Sequence, residues 1–142
     1  MWRIGVVGNF ESAFFESAQK IFRAAKPVIE SFGSGVRYDA VLVLPDAILP
    51  ADQVSCKILI IPEDTIINNA LAKSVVSYGM SQRNTVTLSS TQDADHIVAL
   101  QRDVAALDGT LVLRQEFSFS CSLPPYETLA LASLMIITGE LD

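Results

Sequence analysis

Residues 57–79 read KILIIPEDTIINNALAKSVVSYG, and the opening run decides the fold class. Lys57 to Ile61 is continuously apolar after its first residue and is closed by Pro62, the pattern of a strand buried on both faces; a half-wet strand would alternate. Ala40 to Leu44, closed by Pro45, repeats the pattern, and Arg3 to Val7, ending in Gly8-Asn9, gives a third case. Three such runs predict an α/β protein with a Rossmann-like, largely parallel sheet and helices on both faces.

Working outward, Phe14, Ala18, Ile21, Phe22 and Ala25 recur at helical spacing, which predicts a helix over Phe10 to Ala25 broken near Pro27. Residues 31–35 read as a loop. Asp46 to Cys56 is short for a helical crossover and is expected to be a single turn or an irregular link. Thr65 to Lys73 reads as a short helix leading into a strand over Ser74 to Ser77, which Tyr78-Gly79 stops. Thr85 to Leu88 is a further short strand. The spacer Met80 to Asn84 predicts a change of direction there, or a strand that leaves the main sheet.

The clearest period of two lies near the carboxyl end. Leu111, Leu113, Phe117, Phe119 and Cys121 form the expected buried set, with Thr110, Arg114, Glu116, Ser118 and Ser120 as the wet set. Asp108-Gly109 supplies the backbone freedom for a tight return, so Ile97 to Ala105 is expected to pair antiparallel with Thr110 to Ser118. Pro124-Pro125 then opens a helix from about Tyr126 to Ile137, with Gly139 placed to end it. That helix has hardly any polar face, which predicts either self-association or docking on a partner protein through it, or its enclosure by the hairpin and the rest of its own chain.

The 142 residues contain no repeat or low-complexity linker and are expected to form one domain over 1–142. Half of them are hydrophobic and 18% are charged, apolar enough to suggest a doubly covered sheet or an extra contact surface. The net charge of −6, with no basic run, argues against nucleic-acid binding. The longest apolar stretch, Leu129 to Ile137, is far below the roughly 17 residues of a membrane span, so no membrane partner is expected. MWRIGVV lacks the parts of an export signal, and a cytoplasmic location is expected. Cys56, Cys121 and the lone His96 have no metal-ligand spacing. The cysteines read as reduced, packed thiols, and His96 reads as a polar surface residue.

Ligands of open α/β sheets bind along the carboxyl edge of the parallel strands. Gly8, Asn9, Asp46, Glu63, Asp64, Tyr78 and Ser89-Ser90 all follow expected strands, so that edge is the place to look. Gly8, Asn9 and Ser12 suit an ordinary capped turn or an uncharged or amide-recognising helix terminus. Gly8-Asn9-Phe10-Glu11 has neither the three glycines of a dinucleotide loop nor the Lys-Ser/Thr pair of a Walker loop, and Glu11 would repel a phosphate. Glu63 and Asp64 are suited to a metal or the polar part of a ligand, or to the first turn of a following helix. Ser118, Ser120 and Ser122 lack a nucleophile-elbow context. No catalytic residue, no metal site and no cofactor are expected.

The segments ILIIPEDTIINNALAKSVVSYG, TVTLSS, HIVALQRDVAALDGTLVLRQEFSF and PPYETLALASLMIITGE resemble, in order and texture, the carboxyl-terminal part of the central, nucleotide-binding domain of the Mur ligases. Those enzymes use ATP to join amino acids to peptidoglycan precursors. Glu63-Asp64 corresponds in position to the family's paired acidic residues, and Tyr78-Gly79 resembles its aromatic-Gly turn. The family's Gly-Thr-Asn-Gly-Lys-Thr type phosphate loop is absent from this chain, and the resemblance assigns its catalytic glutamate and carbamylated lysine to no particular residue here. The resemblance therefore implies a non-catalytic relative that binds a partner protein or a small ligand in cell-wall metabolism, as a homo-oligomer or with another protein. The alternative is a small enzyme or nucleotide-dependent module using the acidic edge around Glu63 and Asp64.

Overall fold

The computed structural model describes residues 1–9, 12–23 and 26–141, Ser12 by its backbone alone. Its elements are β1 (Arg3–Val7), α1 (Ser12–Ile21), β2 (Val28–Ser31), β3 (Tyr38–Val43), β4 (Val54–Pro62), β5 (Ala70–Tyr78), β6 (Val86–Gln92), β7 (Asp95–Leu100), β8 (Val104–Ala105), β9 (Leu111–Val112), β10 (Gln115–Ser120) and α2 (Pro125–Ile137). Eight strands form one sheet in the order β10-β7-β6-β5-β4-β3-β1-β2, while β8 and β9 form a separate ribbon. From β2 across to β6 every pairing is parallel, and β7 runs against both of its neighbours. The largely parallel α/β sheet and the late antiparallel hairpin are as the sequence predicts. The ends of the expected Phe10 to Ala25 helix lie outside the described residues.

The expected helix over Thr65 to Lys73 does not form, and chain length explains why. In the β4–β5 ladder Val54 lies beside Ala70 and Pro62 beside Tyr78. The chain must therefore travel back along all of β4, about 26 Å at 3.3 Å per residue, through residues 63–69 alone. Only extended backbone reaches so far. A helix of the same residues, rising 1.5 Å each, would span about 10 Å. Ala70 to Lys73 thus belong to β5. The same economy keeps the link from Leu44 to Gln53 irregular, one of the two outcomes expected for it.

These returns also decide what covers each face. Phe14 and Ala18 of α1 and Leu129, Leu131 and Leu134 of α2 share one cluster with Ile4, Val6, Leu42, Ile58 and Ile60. On the opposite face Val7, Val41, Val43 and Leu59 lie under Phe32, Val36, Ala47 and Ile67 from the connections. Both helices therefore pack on one face, and the expectation of helices on both faces is corrected. Ser31, expected to begin a loop, is the last residue of β2. β2 is the short edge strand that α1 returns to, pairing Arg3 with Val28 and Val6 with Ser31.

The spacer after β5 neither reverses the chain nor takes it out of the sheet. β6 meets β5 at the single pair Tyr78 and Val86 and runs on in the same direction. It starts where β5 stops, so no return is required. The expected register of the hairpin holds, with Ile97 opposite Ser118, but the pairing is interrupted and resumes as β8–β9 around Asp108-Gly109. The expected faces hold in β10, where Phe119 is buried and Ser118 and Ser120 are exposed. In β9 they are reversed. Val112 is buried while Leu111 and Leu113 are each 58% exposed.

α2 lies inside the molecule. Leu129 to Leu134, Ile136 and Ile137 are all buried, and the helix packs against α1, β4, β5 and β6. Its missing polar face is explained by enclosure within its own chain, one of the two outcomes expected for it, and the outer docking surface is not what the helix forms. Ser133 and Thr138 hydroxyls donate to the carbonyls of Leu129 and Leu134, and the Thr128 hydroxyl to the Leu123 carbonyl, so these hydroxyls are satisfied by nearby backbone. Among the described residues no helix is long and apolar enough to cross a membrane.

Replacing Phe119 by Ala should lower unfolding free energy by about 3 kcal/mol, with little change for Ser118→Ala, in denaturant titrations. Thr87 Oγ1 is buried with no hydrogen-bond partner among the described residues. Thr87→Val should therefore raise stability by about 1 kcal/mol in the same assay.

Candidate functional site

The parallel strands β1, β3 and β4 end on one edge of the sheet, and two clefts open there. One, of about 580 Å³, lies among Leu44, Asp46, Glu63, Asp64, Ile66 and Tyr126. The other, of about 620 Å³, lies among Gly8, Asn9, Phe32, Asp46, Ile48 and Pro50. Pro45, Asp46 and Ala47 line both and form the ridge between them. The edge expected from the sequence thus brings Gly8, Asn9, Asp46, Glu63 and Asp64 together. Ser12 opens α1, and its side chain lies outside the described residues. Ser89-Ser90 is carried beyond this edge, because β6 begins at the level where β5 ends.

Gly8 holds the ridge close to the sheet. With φ at +119°, a Cβ at this position would stand 3.1 Å from Leu44 Cβ and 3.2 Å from Ala47 Cβ. Only glycine combines that backbone conformation with that contact. Asp46 and Asp64 follow β3 and β4 and adopt left-handed turn conformations at φ 59° and 62°. Aspartate tolerates this region better than most residues. Both side chains are exposed, so two carboxylates flank the first cleft with water access.

Glu63 behaves differently. Its Oε1 accepts from the Ser81 N–H at 3.0 Å and from Asn84 Nδ2 at 2.9 Å, and its Oε2 accepts from the Tyr126 hydroxyl at 2.5 Å. The Glu63 N–H in turn donates to the Tyr78 carbonyl. One side chain therefore ties the end of β4 to the loop after β5 and to the first turn of α2. The Tyr126 hydroxyl foremost, with Ser81 and Asn84, holds the carboxyl below its ordinary range, and the carboxylate raises the Tyr126 phenol in return. Gly79 leaves room for the arrangement, since a Cβ there would lie 2.5 Å from Glu63 Cδ. No helix follows Glu63-Asp64, so the acidic pair does not cap one.

Tyr78 is not a ligand-facing residue, which corrects its place among the candidates. It is fully buried on the helix-bearing face of the sheet, and its hydroxyl donates to the Val43 carbonyl at 2.6 Å. Burial pushes its phenol up strongly, with the Glu127 charge as a lesser cause. The tyrosine braces β5 against the end of β3 beneath the cleft. His96 is also buried, contrary to expectation. Its Nε2 lies 2.9 Å from the Cys121 carbonyl and its Nδ1 lies 3.0 Å from Thr91 Oγ1. A carbonyl only accepts, so Nε2 carries a proton and the ring stitches β6 to the end of β10.

Cys56 and Cys121 are free and half-buried. Burial pushes the Cys56 thiol up to about 11, away from nucleophilic use. Among the described residues no three His, Cys, Asp or Glu side chains gather in a way that would hold a metal. Tyr126, Ser81 and Asn84 were not singled out from the sequence. Tyr126 lies 63 positions from Glu63, so no local pattern connects them. No protein-family model matches this sequence, and no curated protein matches it.

The charged form of Glu63 is favoured by folding. Its contribution is therefore complete above the ordinary carboxyl value of 4.5 and is lost as pH falls through the lower folded value. Tyr126 contributes the opposite limb. Its stabilisation is present below the ordinary phenol value of 10.0 and is lost as pH rises through the higher folded value. Glu63→Gln should cost about 2 kcal/mol at neutral pH and flatten the decline of stability below pH 4.5, both measured by denaturant midpoints. Gly79→Ala should destabilise by a similar amount, and the double variant by less than the sum, because both changes disrupt the same carboxylate.

Proposed function

We propose that this chain is a non-catalytic, Mur-ligase-like domain that binds a small ligand or a partner protein at the carboxyl edge of β3 and β4, in cell-wall metabolism. The observation that carries the proposal is the saturation of Glu63. At the position of the family's paired acids, this carboxylate accepts three hydrogen bonds from its own chain. It is spent on fixing the cleft wall. Asp46 and Asp64 remain outward, beside the apolar side chains of Leu44, Leu49 and Ile66.

A cleft with two exposed carboxylates and an apolar flank suits a ligand that joins a cationic amine to an aliphatic or aromatic part. It does not suit a polyphosphate. The sequence offers no lysine-bearing phosphate loop, and the acids along the edge repel a phosphate chain.

Calorimetry with magnesium-ATP should give no heat of binding. A micromolar dissociation constant, or turnover abolished by Asp64→Asn, would overturn the proposal. Titrating the labelled protein with a lysyl dipeptide should shift amide resonances of residues 44–49 and 62–66. The doubly neutralised Asp46→Asn, Asp64→Asn variant should weaken that response about tenfold, or 1.4 kcal/mol.

A further inference from the structure

β10 is the last strand of the sheet and has one neighbour, β7. In an antiparallel pair, alternate residues turn their main-chain groups toward the neighbour and the residues between turn them away. The Cys121 N–H donates to the Ala94 carbonyl at 2.9 Å, continuing the β10–β7 register that places Ser120 beside Asp95. Phe119 and Phe117 share that inward phase. Glu116, Ser118 and Ser120 therefore turn their N–H and C=O groups to the open edge. Sheet edges are commonly guarded by proline or lysine, and QEFSFS has neither.

This edge faces a groove of about 730 Å³. α1 forms the opposite wall, and Leu131 and Met135 of the enclosed α2 lie along its floor beside Phe117. Lys20 and Arg23 line the α1 side, and neither forms an ion pair among the described residues. The lining acid, Glu140, is turned onto the Arg23 main-chain N–H at 3.2 Å. In a chain of net charge −6, the groove is a place where, among the described residues, cations without an ion pair stand beside unpaired backbone.

We propose that this groove is a strand-addition site for an extended, acidic segment of a partner protein. The incoming backbone pairs with Glu116, Ser118 and Ser120, one set of its alternate side chains rests on the half-buried Phe117 and Met135, and a carboxylate meets Lys20 and Arg23. The charges select such a partner over a second copy of this chain, because pairing two β10 edges would join two molecules of charge −6 and leave the cations without a ligand. The site is separate from the carboxyl-edge clefts and does not depend on their function.

The probe is a capped synthetic peptide alternating valine and threonine with glutamate at both ends. Added at about 1 mM, the weak end of specific affinities, it should slow amide exchange at Glu116, Ser118 and Ser120 while leaving residues 44–49 unchanged. N-methylation of one alternate set of its residues should abolish binding, and the other set should be tolerated, because only one set faces β10. Lys20→Glu, a surface change on α1, should weaken binding about tenfold, and replacing the glutamates of the peptide by glutamine should do the same. No protection of the three amides, or equal loss from both N-methylated peptides, would overturn the proposal. So would light scattering showing a dimer of the free protein with the β10 amides already protected.

Discussion

The register of β4 against β5 is the constraint on which the rest of this molecule depends. Nine-residue parallel strands placed side by side, with Val54 at Ala70 and Pro62 at Tyr78, leave residues 63–69 only as much chain as the return distance demands. An extended return is thin. It covers a sheet face with single side chains such as Ala47 and Ile67 where a helix would present a broad stripe. The helices are consequently concentrated on the other face, and α2 is largely enclosed there, with Met135 half-buried at the groove beside β10.

Enclosure of α2 links the core to the edge of the sheet. The first turn of the helix places Tyr126 beside the end of β4, where its hydroxyl meets Glu63. Glu63 also gathers the Ser81 and Asn84 donors of the loop that steps from β5 to β6. A half-buried carboxylate with charge-assisted donors on both oxygens is a strong local tie. It fixes one wall of the cleft, while Asp46 and Asp64 stand exposed at their turns. At the far end of the sheet, Phe117 and Phe119 close over the same helix, and the outer edge of β10 is left facing α1 across the groove.

The acidic turn that ends β4 and the aromatic-glycine turn that ends β5 each have a structural account in the packing. Pro62-Glu63 ends a buried strand and anchors α2. Tyr78-Gly79 ends the next strand, with the tyrosine under the sheet and the glycine making room for a carboxylate. Glu63 ties the acid-rich turn to its surroundings, while Asp46 and Asp64 stay exposed to water.

The sequence by itself determined the strands that are buried on both sides. Runs such as Ile58 to Ile61 have one energetically acceptable environment, and the glycine, proline and aspartate turns around them mark their ends. It also determined the register of β7 on β10, because a slip of one residue would exchange Phe119 with Ser118 between core and water. The helix expected after Glu63 was not decided locally, since Ile66, Ile67, Ala70 and Leu71 suit either conformation and only the distance back along β4 selects the extended one. β9 failed for a related reason: its two residues belong to a separate ribbon, so the period continued from β10 assigned Leu111 and Leu113 to the wrong side. The candidate edge was legible because polar turns follow apolar strands. The division of labour among its acids was not, since Glu63 finds Tyr126, Ser81 and Asn84 only when distant segments meet, and hydrogen bonds between such segments leave no periodic trace in the chain.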